Sequence, residues 1–330
     1  MHSWTTSTYR TLAYDGRGKP DLLQVDLPRS ALKYDYLLNA IFAYTALHLA
    51  YQNRADLYTM EYYVSAAISF RDRGLQRVAP AMQEFQLVDS KPEESDMFAM
   101  FWFSTFAGLF TMSLAVVNDL QRSLSAAESD HKGMPFTSML VELAQLWRGT
   151  QTIVEVANAL RAKVYITANG EQHAGDESKL EPELDARLSQ LAVFVDKPGP
   201  SPGVAEEDQY APLYRRSVSD MRKGFDSMAA TGTLDDAMSW VSGLGSDFAL
   251  LLEAGAPRAL LSTMCYGTLL AQVSNKWWAE GVGKALVDEC SMALAESPEE
   301  WHDLIRWARA RVDLPVAVVQ HDTPGVSHES

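Results

Sequence analysis

Apolar residues recur at helical spacing along almost the whole chain, and the strict alternation of a half-buried strand is scarce. Tyr34, Leu37, Leu38, Ile41, Phe42, Thr45 and Leu49 mark one broad buried helix face. Tyr58, Tyr62, Val64, Ala67, Ile68 and Leu75 predict a second helix from about Ala55 to Val78, which Pro80 breaks or restarts. Lys91-Pro92-Glu93-Glu94-Ser95-Asp96 reads as a helix start, with proline early and carboxylates where the helix dipole favours them. The following stretch, Met97 to Val117, is apolar nearly all round and predicts a central helix. Helical text resumes from Thr137 to about Ala168, and the pattern as a whole predicts an all-α fold.

Three stretches interrupt the pattern. Asp15 to Pro28 is rich in glycine and proline and reads as loop, and Ser129 to Pro135 is a polar connection. Asp196-Lys197-Pro198-Gly199-Pro200-Ser201-Pro202-Gly203 forbids regular structure and runs into the acidic Glu206-Glu207-Asp208. The helices on both sides of it are too apolar to stand as small separate domains. The expectation is therefore one large domain over residues 1–320 with a surface loop near 196–208, and a polar, disordered tail over 321–330.

Composition narrows this picture. Met97 to Val117 contains Ser104, Thr105, Gly108, Thr111 and Ser113 with charges close on either side, which favours a buried core helix over a membrane span. Met1-His2-Ser3-Trp4 lacks the basic start and apolar run of a signal peptide. The 28 Lys and Arg against 43 Asp and Glu leave a formal charge of −15, which repels phosphate backbones and argues against nucleic-acid binding by this chain alone. Cys265 and Cys290 cannot build a disulfide framework or a four-thiolate zinc site, so they read as buried thiols of an intracellular protein.

Short motifs for chemistry fail on spacing. Gly281-Val282-Gly283-Lys284 lacks a phosphate loop's first glycine, which would fall on Trp278, and its Ser/Thr, which would fall on Ala285; it reads as a tight packing turn. A dinucleotide fingerprint would need a glycine at Leu286. No two histidines stand four apart, and His48, beside Leu47 and Leu49, reads as a core or ligand-touching side chain rather than a metal ligand. Asp235-Asp236 would begin an aspartate-rich diphosphate motif only with an acid at Ser239, so it reads as the first turn of a helix capped by Thr233. Asn118-Asp119 with Arg122 lacks the serine and glutamate of a second magnesium motif, and no Gly-x-Ser-x-Gly nucleophile elbow is present.

What stands out is apolar. Phe98, Phe101, Trp102, Phe106 and Phe110 crowd one helix together with Met97, Met100 and Met112. Leu261, Met264, Tyr266 and Leu269 crowd another. Methionine and aromatic rings make adaptable walls for a flat apolar ligand, although such stripes also build ordinary cores.

Several segments resemble the ligand-binding domain of fungal sterol-uptake regulators, a family of zinc-cluster transcription factors. They run in family order: Trp4-Thr5-Thr6-Ser7-Thr8-Tyr9-Arg10-Thr11-Leu12, Leu37 to Ala50, Ala67-Ile68-Ser69-Phe70-Arg71, Phe101-Trp102-Phe103-Ser104, Leu146-Trp147-Arg148-Gly149, Trp277 to Lys284, and Trp301 through Trp307. The resemblance implies an all-α domain enclosing a deep hydrophobic pocket, a sterol or similar isoprenoid ligand, and a regulatory output. It places the two stripes on the walls of that pocket. The family's DNA-binding module needs six cysteines and a basic flank, and this chain has neither. Because Met1 falls inside what looks like the first helix, the expectation is either the sensor part of a longer protein or a free-standing descendant.

Two classes of function follow. One is a sensor that binds an apolar small molecule, without cofactor or metal, with homodimerisation left open. The other is a secondary-metabolism enzyme on the same fold, a terpene cyclase without the familiar motifs, which alone would need magnesium. Its candidate groups are Asp247, Glu253 and Glu280 for the metal and Arg258, Lys276 or Lys284 for a diphosphate, side chains that otherwise read as solvated helix faces and turn charges.

Overall fold

The computed structural model describes residues 1–12, 21–85, 93–125, 135–149, 180–197, 207–231, 238, 240–241 and 243–315. Every regular element among these residues is helical. The N-terminal part holds α1 (His2–Thr6), α2 (Leu27–Ala31), α3 (Asp35–Gln52), α4 (Leu57–Phe85), α5 (Glu94–Ser125) and α6 (Phe136–Gly149). The C-terminal part holds α7 (Pro182–Asp196), α8 (Ala211–Thr231), α9 (Ser246–Glu253), α10 (Pro257–Leu270), α11 (Val282–Ala293) and α12 (His302–Arg311), linked in places by short 3₁₀ turns. Buried side chains from Trp4 to Val312 form one hydrophobic cluster. The expected Thr233 cap and the tail over 321–330 lie outside the described residues, as do most of the Ser129 to Pro135 connection and of the Pro/Gly-rich stretch.

α3 is buried on nearly every side, with Leu37, Ile41, Tyr44, Leu47 and Ala50 at or near zero exposure, so it takes the centre and packs against α4 and α5. α4 buries only some of the apolar residues that predicted it. Its buried stripe is Met60, Val64, Ala67 and Val78, whereas Tyr58, Tyr62 and Leu75 are exposed at 82%, 66% and 43%. A step of one residue turns a helix by about 100°, so the tyrosines fall off the stripe. Pro80 does not end this helix, which continues to Phe85. Val78 stays buried and Ala81 and Met82 pack on the core, which offsets the hydrogen bond that proline cannot donate.

Part of the expected loop is also helical. Residues 21–31 form a π-turn and α2, with Pro28 in the first turn of α2 and Leu23 and Leu27 buried. The fully buried Trp4 donates its indole N–H to the Leu23 carbonyl at 2.8 Å, and Gln24 donates to the Thr5 carbonyl at 2.9 Å. These two bonds dock the segment on α1.

α5 is long and apolar enough to cross a membrane, and 56% of its most apolar window is buried inside the fold. Its hydroxyls return to their own backbone: Ser104 donates to the Met100 carbonyl at 3.0 Å, Thr105 to Phe101 at 3.0 Å and Thr111 to Ala107 at 3.2 Å. The helix pair Ser246–Glu253 and Pro257–Val273 is that apolar only when taken together, and it bends by 101°.

Two helices are capped by carboxylates far away in sequence. Glu289 of α11 accepts from the Phe136 and Thr137 amides at 2.8 and 3.1 Å, at the start of α6. Glu207 accepts from the Arg258 amide at 3.2 Å, at the start of α10. α7 and α8 pack on each other and on α10, and the 198–206 stretch joins them. α10 and α11 cross at glycines. A Cβ on Gly267 would stand 2.9 Å from the Gly283 carbonyl oxygen, and one on Gly283 would stand 2.4 Å from the Gly267 carbonyl oxygen. Gly281 caps α11 in the left-handed region at φ 76°, so Gly-Val-Gly-Lys is a packing turn in this fold.

Candidate functional site

α4, α5 and α6 border a cleft of about 420 Å³, within the range of small-molecule sites. Leu57, Phe110, Leu114, Ala115 and Met139 supply its apolar wall. Glu61, Arg71, Asn118, Gln121, Arg122 and Glu142 supply the polar part. The helical rise sets its length: Phe110 and Arg122 lie about 18 Å apart along α5. The Arg71 guanidinium carbon stands 5.3 Å from the centre of the Phe110 ring, a cation–π approach that places this arginine at the Phe110 end. Arg122 pairs with Asp119 at 2.9 Å.

Of the twelve apolar residues singled out in the two stripes, Phe110 lines this cleft. Phe106 is buried in an aromatic cluster, 5.5 Å from Trp4, 5.7 Å from Tyr44 and 6.0 Å from Trp102. Phe98 and Phe101 pack edge-on to Trp102, and all three are half-buried. The residues of α10 fall elsewhere. Tyr266 stacks on Trp240 at 4.3 Å, and Phe248 and Tyr214 extend that second cluster. Leu261, Met264 and Leu269 are fully buried in α10, whose main neighbours are α11, α8, α12 and α7. The two stripes thus belong to separate aromatic clusters. Leu57, Arg71 and Met139 escaped sequence reasoning because the wall is assembled from three helices; of these, the helical pattern marked neither Leu57 nor Met139.

The polar candidates scatter. Asp247 and Glu253 are exposed on α9, while Glu280 accepts from the Tyr51 hydroxyl and pairs with Arg54 at 3.4 Å. Lys276 is half-buried beside the Trp277 turn, and Lys284 donates to the Asp313 carbonyl at 3.1 Å. Arg258 corrects the expectation of a solvated charge, being fully buried. It donates to the Lys197 carbonyl at 2.5 Å and to Asp208 at 2.8 Å, holding both ends of the 198–206 stretch. Its Nε and Nη1 have no partner among the described residues. Beside it burial raises the Glu207 carboxyl above its ordinary range, opposed by a hydrogen bond from Tyr214. Among the described residues, no three His, Cys, Asp or Glu side chains gather as a metal site.

His48 is buried with Nδ1 3.0 Å from the Thr8 hydroxyl and its ring 5.1 Å from that of Trp277. Burial lowers its pKa to about 4, so the ring is neutral at physiological pH and fastens the N-terminal turn to α3. Burial also pushes the Cys265 thiol up to about 12 and the Cys290 thiol higher, leaving both unreactive. With these arrangements in hand, comparison with protein-family models, with curated proteins and with solved structures finds no match.

Proposed function

We propose that this chain binds an apolar isoprenoid-type small molecule, a sterol or terpenoid, as the sensor domain of a sterol-responsive regulator does. The observation that carries the reading is the elongated cleft along α5, with an apolar wall and charged groups at its rim. The ordered resemblance to sterol-uptake regulators, from about Trp4 to Val312, supports the ligand class. The unusually aromatic and methionine-rich text of α5 supports an adaptable wall. A ligand there touches α4, α5 and α6 together. It shifts a conformational equilibrium only if it binds one arrangement of these helices better than another.

Native mass spectrometry after incubation with ergosterol or farnesol tests the reading. Uptake at micromolar ligand is expected, and Leu114→Trp, which fills the half-buried wall, should abolish it while leaving the urea midpoint nearly unchanged. A chain that takes up neither ligand overturns the reading.

A further inference from the structure

Taking the ligand site to be the α5 cleft, as proposed above, we infer that its preferred occupant is an elongated apolar molecule ending in a carboxylate, bound head-first at Arg71. The two ends of the cleft differ. At the Phe110 end, Arg71 lies against an aromatic ring, an arrangement that holds the planar guanidinium in place and keeps its N–H groups pointing away from the ring, in the guanidinium plane. Its Nε and Nη2 both donate to one oxygen of the exposed Asp72, at 2.9 and 2.8 Å, and Nη1 has no partner among the described residues. Arg71 therefore offers a donor to the cleft without breaking its existing pair.

Glu61, the acid of α4 that lines the same cleft, lies about 15 Å from Arg71 along the helix, too far to neutralise it at physiological salt. Arg122, the second arginine of the cleft, pairs with Asp119 on its own helix as Arg71 does with Asp72, and what sets the Arg71 end apart is the Phe110 ring beside its guanidinium. An acid head at Arg71 lets the apolar body lie along Phe110, Leu114, Ala115 and Met139 towards Leu57. The reverse orientation would put the carboxylate nearer Glu61.

The test is titration calorimetry with two probes of the same carbon skeleton, farnesoic acid and farnesol, on the intact chain. We expect the acid to bind at least tenfold more tightly, since charge-assisted Arg–carboxylate bonds are the strong ones. Arg71→Gln should abolish that preference while farnesol binds as before. Arg71→Lys, which keeps the charge and loses the fork, should keep part of it, and Arg122→Gln should keep it all. Equal affinity of the two probes overturns the inference alone, as does a preference that survives in Arg71→Gln. If neither probe binds, the ligand-binding reading itself falls, and this inference with it.

Discussion

Replacing Gly283 by alanine puts a methyl group where α10 and α11 touch. The added carbon would lie 2.4 Å from both the Ala271 amide nitrogen and the Gly267 carbonyl oxygen, and 2.9 Å from Ala271 Cα. All three are backbone atoms, so no rotamer change relieves the contact. Heavy atoms settle near 3.5 Å, and the helices would have to part by roughly 1 Å, which forfeits a quarter to a half of each dispersion contact along the seam. That seam holds the fully buried Leu269, Leu270, Leu286 and Val287. Overpacking costs about 1–3 kcal/mol where side chains can adjust, and more where backbone is struck; the gain in helix propensity returns only about 1 kcal/mol. We therefore expect Gly283→Ala to lose about 3–5 kcal/mol in urea unfolding followed by far-UV circular dichroism. Gly281→Ala, two residues away, meets nothing within 4 Å and suffers only its left-handed φ of 76°, so about 1–2 kcal/mol is expected. If Gly283→Ala unfolds within 1 kcal/mol of the wild type, or later than Gly281→Ala, the close crossing is wrong. A phosphate-cradling turn would predict that result.

Three further outcomes follow from polar groups at least half-buried in the fold. His48 titrates near 4 when folded and near 6.5 when unfolded, so between these pH values the unfolded chain binds the extra proton and stability falls as pH falls. The loss approaches roughly 3 kcal/mol at pH 4, and His48→Gln should flatten the urea midpoint against pH over this window relative to the wild type. Glu289→Gln puts an amide against the first N–H groups of α6 and should cost about 1–2 kcal/mol, with faster exchange of the Phe136 and Thr137 amides; unchanged exchange there would refute the remote cap. Arg258→Ala leaves the Lys197 carbonyl and Asp208 without the Arg258 guanidinium and removes a positive charge beside the buried Glu207, and should cost about 3–5 kcal/mol, whereas Arg258→Met, which keeps the apolar packing, should recover part of that in the same assay.

Helical character was legible because period 3.6 survives in amphipathic segments such as α4, α6 and α8, whereas the central place falls to α3, which is buried on nearly every side, and α5 also lines an open cleft. The apolar residues of α4 did not by themselves mark its buried stripe, because tyrosine was counted with them, yet a ring can lie on a surface with its hydroxyl in water, as Tyr58 and Tyr62 do. Pro80 and Pro28 show the same limit from the other side. Proline opposes an isolated helix, but its position in the first turn, or apolar neighbours that keep the helix docked, reverse the outcome. Remote caps such as Glu289 on α6 and Glu207 on α10 leave no trace in local text, since donor and acceptor are separated by 153 and 51 residues. The candidate site was legible at one position of the two stripes for that reason. Phe110 announced itself in an aromatic stripe, while Leu57 and Met139, ordinary residues in ordinary helices, join it only through tertiary packing.

The claim that matters most is that an apolar molecule lodges in the cleft along α5. Photocrosslinking with a diazirine-bearing sterol or farnesyl probe, followed by peptide mapping, locates the ligand directly. We predict labelling between Phe110 and Arg122, with companion sites at Leu57 and Met139, competed by unlabelled ligand and lost in Leu114→Trp. Saturable labelling confined to α10, around Leu261, Met264 and Leu269, or no saturable labelling at all, would contradict it.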